Sequence, residues 1–136
     1  MDNSLKYYLS DFNRNLAILT ETKVKDLEQK LGFEFPCEYR DMMVEFNGGE
    51  GPVGNNCWLC LYPLEKLMEI NKNYGLLMEQ IPEYFLFGKD AADTGYAFHK
   101  SKKTFHCFGL MSDFKVDFIG FYGRNFIKFI EYLYNQ

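Results

Sequence analysis

Three segments of this chain repeat apolar residues at i, i+3, i+4 and i+7, and between the second and third that spacing disappears. The first set is Leu5, Tyr8, Leu9 and Phe12, the second Tyr39, Met42, Met43 and Phe46, and the third Phe126, Phe129, Ile130 and Leu133. Each set is one stripe of an amphipathic helix. Helices therefore lie toward both ends, and the middle folds by another period. A further helix starts near Thr20, a good N-cap residue, buries Val24, Leu27 and Leu31, and stops at Gly32. Phe33 to Phe35 reads as an extended linker, and Pro36 as the first turn of the helix carrying the second set. Glu38, Asp41 and Glu45 share another face of that helix. Asn47-Gly48-Gly49 stops it, and residues 48–56, with four glycines, a proline and two asparagines, read as a loop.

Beyond that loop the apolar runs are short. Cys57 to Tyr62 suits a buried strand, and Leu64 to Asn71 a short helix with Leu64, Leu67 and Met68 inward. Tyr84 to Phe87 reads as a strand, Gly88 to Gly95 as a turn-rich connection, and Tyr96 to His99 and Thr104 to Phe108 as the arms of a hairpin turning at 100–103. Lys115 to Phe121 alternates as a strand does, and Asn125 opens the last helix. Segregated helices and strands define an α+β fold: N-terminal helices, a mainly antiparallel sheet of five to six strands with one short inserted helix, and a C-terminal helix. The whole chain, residues 1–136, reads as a single domain.

Composition excludes several function classes. Aromatics make up 18% of the chain, far too many for a disordered segment. A net charge of −4 argues against direct nucleic-acid binding, which needs a basic surface, and against docking on an anionic membrane. That total hides an asymmetry. Residues 34–93 hold eleven acidic and four basic groups, whereas residues 94–136 hold three acidic and six basic. An acidic central segment suits a basic protein partner, though charge alone is explained more simply by a solvated surface. No apolar run approaches a membrane span, and the N-terminus lacks a secretory pattern, so the expected compartment is the cytoplasm. Ten tyrosines, six methionines and one tryptophan leave room for an apolar surface patch.

Catalytic chemistry has little to stand on. Cys57-Trp58-Leu59-Cys60 is a lone CxxC, and zinc would need Cys37 and Cys107 brought to it. On a straight strand its two thiols point to opposite faces, and an apolar run does not lower a thiol pKa, so buried, unreactive cysteines are expected. His99 and His106 can meet across the hairpin, as a plain cross-strand pair or as ligands. Asp90 and Asp93 fit either turn capping or cation binding. The glycine loop at 48–51 follows a helix, not a strand, and so is no phosphate cradle. No cofactor, metal or catalytic residue is assigned.

Several motifs recur in a familiar order. Leu27-Glu28-Gln29-Lys30-Leu31-Gly32, Phe35-Pro36, Tyr39-Arg40 and Asn47-Gly48-Gly49 come first. Pro63-Leu64-Glu65-Lys66-Leu67, the stretch from Phe87 to Tyr96 and Asn125-Phe126-Ile127-Lys128-Phe129-Ile130 follow. Together they resemble the SUKH superfamily over about Thr20 to Leu133, with Ala91-Ala92 where the family favours glycine. That superfamily includes the fungal cell wall assembly regulator and many bacterial immunity proteins. The resemblance implies a non-enzymatic module that neutralises a cognate toxin domain, a nuclease among the options, by direct contact. The other function it implies is a regulatory interaction module without a toxin. A basic toxin surface would meet carboxylates. The candidates are Glu38, Asp41 and Glu45, joined by Glu50, Asp90 and Asp93 from loops.

Overall fold

A computed structural model describes residues 1–16 and 19–136. Six helices and seven strands follow one another as α1 (Asn3–Tyr8), β1 (Asn13–Arg14), α2 (Glu21–Leu31), α3 (Cys37–Glu45), β2 (Gly49–Val53), β3 (Cys57–Leu61), α4 (Leu67–Asn73), α5 (Gly75–Met78), β4 (Tyr84–Lys89), β5 (Thr94–His99), β6 (Phe105–Gly109), β7 (Gly120–Gly123) and α6 (Phe126–Tyr134). A 3-10 turn, Leu64–Lys66, leads into α4. All strands join one antiparallel sheet in the order of the chain. The α+β class and the antiparallel sheet are as expected, with seven strands in place of five to six.

Caps lie where the sequence places them. The Thr20 side chain accepts from the Lys23 N–H, Asn125 accepts from the Lys128 N–H, and Gly32 ends α2 in the left-handed region. Pro36 is the N-cap residue of α3.

The two faces of the sheet are covered differently. Phe85 and Phe98 pair and face a large core that also takes Val24, Tyr39, Met42, Phe126 and Phe129 from the helices. Leu86 and Ala97 pair on the opposite face, under Leu77, Met78 and Ile81. Phe87 follows Phe85 into the larger core by strand alternation and sits at a bulge between Leu86 and Gly88. Its ring lies 5.3–5.5 Å from those of Tyr39, Phe105 and Phe129. Tyr39 is fully buried, and its hydroxyl has no partner among the described residues.

Several expectations need correction. The glycine-rich stretch is not a loop: residues 49–53 form β2. Its glycines are required because residues 11–14 pass so close to it. A Cβ on Gly49 would stand 2.1 Å from the Asn13 carbonyl oxygen, and one on Gly51 3.0 Å from the Asn13 nitrogen. Pro52 is tolerated because β1 pairs only with Gly49 and Glu50, leaving that edge without a ladder to break. Helix α1 stops at Tyr8, so Phe12 is buried from a turn rather than from the helix.

Met68 is 46% exposed, not inward. The connection between β4 and β5 shrinks to residues 90–93, because both strands run further than their apolar runs. Residues 115–119 are not a strand. The Asp113 carbonyl accepts from the Val116 and Asp117 N–H groups, and the Asp117 carboxylate accepts from the Asp113 N–H. These local bonds turn the chain despite its alternating pattern, and β7 begins only at Gly120.

Candidate functional site

The six acidic candidates sit on three parts of the fold. Glu38, Asp41 and Glu45 share one side of α3. Glu38, in the first turn, complements the helix dipole. It is half-buried and rims a small depression with Asp41, Asp2 and Leu5. Asp41 and Glu45 are exposed, and the Met1 amino group lies 3.3 Å from Glu45 Oε2. Glu50 is exposed on β2, with Trp58 Nε1 3.4 Å from its Oε2. Asp90 is occupied by the β4–β5 turn: its Oδ1 accepts from the Ala92 and Thr94 N–H groups at 2.8 and 3.0 Å. Asp93 is exposed beside Asp117, Met111 and Phe118.

The cysteines are free, but they are less buried than expected. Cys37 is exposed, and Cys57, Cys60 and Cys107 are half-buried. Burial pushes the last three thiols up, away from thiolate chemistry. Cys57 packs against the larger core, while Cys60 pairs across the sheet with Glu50 and Lys89. Among the described residues, no three His, Cys, Asp or Glu side chains come close enough to hold a metal ion.

Across the hairpin His106 stands opposite Ala97 rather than His99, and each histidine packs edge-on against Tyr84, with ring centroids 5.0 Å (His106) and 5.2 Å (His99) from it. His106 Nε2 lies 2.7 Å from Thr104 Oγ1, and Nδ1 lies 3.1 Å from the Gly120 carbonyl oxygen. His99 Nδ1 accepts from the Lys102 N–H and shapes the hairpin turn. Burial holds His106 below the ordinary histidine range, with His99 adding to the effect and the Gly120 carbonyl opposing it. The unfolded chain therefore takes up a proton there at a higher pH than the folded one. His106 supports stability fully above pH ~6.5, and that support is withdrawn as the pH falls from there toward the lower folded value. Denaturation midpoints measured across this window are expected to fall less steeply for His106→Gln than for the parent chain.

A cleft of about 680 Å³ lies between the end of α2 and the start of α3. Two of its charged groups, Glu28 and Arg40, are occupied. Glu28 accepts from the Phe35 N–H at 2.7 Å and from Arg40 Nε at 3.4 Å, and Arg40 also pairs with Glu21 at 2.8 Å. The Leu-Glu-Gln-Lys-Leu-Gly, Phe-Pro and Tyr-Arg motifs are thereby one clamp between two helices.

Asn47 does more than stop α3. It is buried; its Oδ1 accepts from the Leu64 N–H at 2.9 Å and its Nδ2 donates to Glu65. Two motifs far apart in the chain thus meet at one side chain. Sequence reasoning missed the exposed apolar residues Met111, Val116 and Phe118, having placed the last two in a strand. The surplus of tyrosine and methionine was their only signal.

Among the described residues, a seven-strand antiparallel sheet carries helices on both faces and carboxylates on its surface. The model of the SMI1 / KNR4 family (SUKH-1) matches residues 18–132. The chain belongs to that family, one of immunity and protein-interaction domains that are generally non-enzymatic. Among curated proteins, none matches the chain. No helix among the described residues is long and apolar enough to cross a membrane.

Proposed function

We propose that this protein is an immunity protein, which binds a cognate toxin domain in the cytoplasm and neutralises it by direct contact, without catalysis of its own. The observation that carries this reading is family membership across residues 18–132 in a chain whose acidic groups concentrate in residues 34–93. A nuclease toxin presents cations to phosphates, and carboxylates on an inhibitor can occupy the same cations. Asp41 and Asp93 are exposed and make no side-chain hydrogen bond or ion pair among the described residues, and Glu38 stands beside Asp41. These three are the most readily available of the six carboxylates. Glu45, Glu50 and Asp90 already have intramolecular partners, so a toxin would have to compete for them.

The test is an affinity pull-down from the source cells at low and then high salt, followed by kinetics with the purified partner. A stoichiometric basic toxin domain is the expected result. The double variant Glu38→Lys/Asp41→Lys is then expected to slow association roughly tenfold at low salt and to flatten its salt dependence, because like charges now meet at the encounter. Recovery of a wall or signalling protein alone would favour a regulatory module instead.

A further inference from the structure

Loop 110–119 is held rigidly, yet it turns its apolar side chains outward. Gln80 Oε1 accepts from the Phe114 N–H at 3.0 Å, and Gln80 Nε2 donates to the Ser112 carbonyl at 3.3 Å. The Asp113 and Asp117 carboxylates fasten the loop from within, accepting from the Lys115 and Asp113 N–H groups. Leu110, Phe114 and Ile119 point inward onto the smaller core. Met111, Val116 and Phe118 point away from it, at 92%, 73% and 91% exposure. Leu76, 90% exposed, lies on α5, whose Leu76 carbonyl also accepts from Gln80 Nε2. Met111 and Phe118 line one depression on a backbone fastened by these hydrogen bonds, so less ordering of the chain is left for association.

The charges around this patch indicate what covers it. Asp93 and Asp117 line the same depression as Met111 and Phe118, and Asp113 is hydrogen-bonded to Asp117. Lys115 is the one cation on the loop. This acidic rim arises within a C-terminal third that is basic overall, because the fold brings Asp93 to Asp117. A second copy of the chain docked about a two-fold axis would set carboxylate against carboxylate. An anionic membrane would be repelled for the same reason.

We propose that loop 110–119, with Phe118 and Met111 at its centre and Asp93, Asp113 and Asp117 at its rim, is the principal docking surface for a protein partner that offers an apolar pocket edged by lysine or arginine. The proposal rests on the protein-binding reading above and assigns its main contact to this loop rather than to α3. An aromatic residue at the centre of an interface and charges at its rim divide the work: burial holds the complex, while the rim speeds encounter.

The experiment places a benzophenone photo-crosslinking side chain at position 118, and separately at position 45, in the full chain expressed in the source cells. The expected result is a cross-link from 118 to a basic protein. That protein, purified, should bind the parent chain and lose about 100-fold in affinity to Phe118→Asp, mainly through faster dissociation, with the variant's melting temperature unchanged. Asp93→Lys/Asp117→Lys should mainly slow association.

Cross-linking from 45 alone would overturn the proposal and leave the protein-binding reading standing. Cross-linking of 118 to a second copy of this chain, with sedimentation showing a dimer that Phe118→Asp dissociates, would overturn it in favour of self-association. A captured protein whose affinity is unchanged by Phe118→Asp would overturn it as well. Cross-linking from neither position would count against both the patch and the binding reading.

Discussion

Gly49→Ala is expected to destabilise the fold by about 3 kcal/mol or more, seen as a lower urea midpoint with an unchanged slope. Two penalties add at this position. Its φ of +144° lies where side chains are strained, and the new methyl would stand 2.1 Å from the Asn13 carbonyl oxygen. The obstacle is backbone, so relief requires residues 12–14 to move, and with them the short β1 ladder to Gly49 and Glu50. Gly75→Ala is the matching control. The nearest atom to its Cβ is Glu79 Oε1 at 3.9 Å, and its φ is ordinary. That variant should be neutral or more stable by about 0.5 kcal/mol, since alanine restricts the unfolded chain. Equal losses from both substitutions would remove the close-approach account of the glycine-rich strand.

Phe87→Ala is expected to cost about 3–5 kcal/mol. Phe87 is fully buried at the β4 bulge, ringed by Tyr39, Phe98, Phe105, Phe126 and Phe129. Those neighbours come from α3, β5, β6 and α6, so the vacated space cannot collapse around a single element. Tyr39→Phe, in the same cluster, carries the opposite sign. It removes a buried hydroxyl that has no partner among the described residues, and should leave stability unchanged or raise it by about 1 kcal/mol. Thermal melts of both variants are the check, and a substantial loss in Tyr39→Phe would mean that the hydroxyl has a partner in solution.

The proposed contact surface was legible only in part. The acidic face of α3 follows from a spacing of three and four residues, which a helix always converts into proximity. The fate of Asp90, as a turn cap, was also open to reading, because aspartate at the head of a tight turn bonds the amides just ahead. That Asp93 and Asp117 line one depression was not legible. It depends on where the hairpin of β5 and β6 ends relative to the chain that follows. The Asn47 link to Leu64 and Glu65 was likewise hidden, since nothing local relates a helix stop to a turn seventeen residues on.

What this chain determines by itself is local. Helical stripes, caps at Thr20 and Asn125, the stop at Gly32 and the α+β order all follow from interactions within a few residues, where backbone sterics and side-chain reach decide the outcome. Tertiary structure decided the rest. Residues 49–53 became a strand because neighbouring strands supplied the ladder that their own composition does not favour. Residues 115–119 turn instead of pairing: the local bonds of Asp113 and Asp117 allow the turn, and Gln80 and the smaller core hold it by taking Phe114 and Ile119, which leaves Val116 and Phe118 without cover. Alternation in sequence states only that two faces differ. Which face is buried, and whether a partner strand lies alongside, is settled by contacts between residues far apart in the chain.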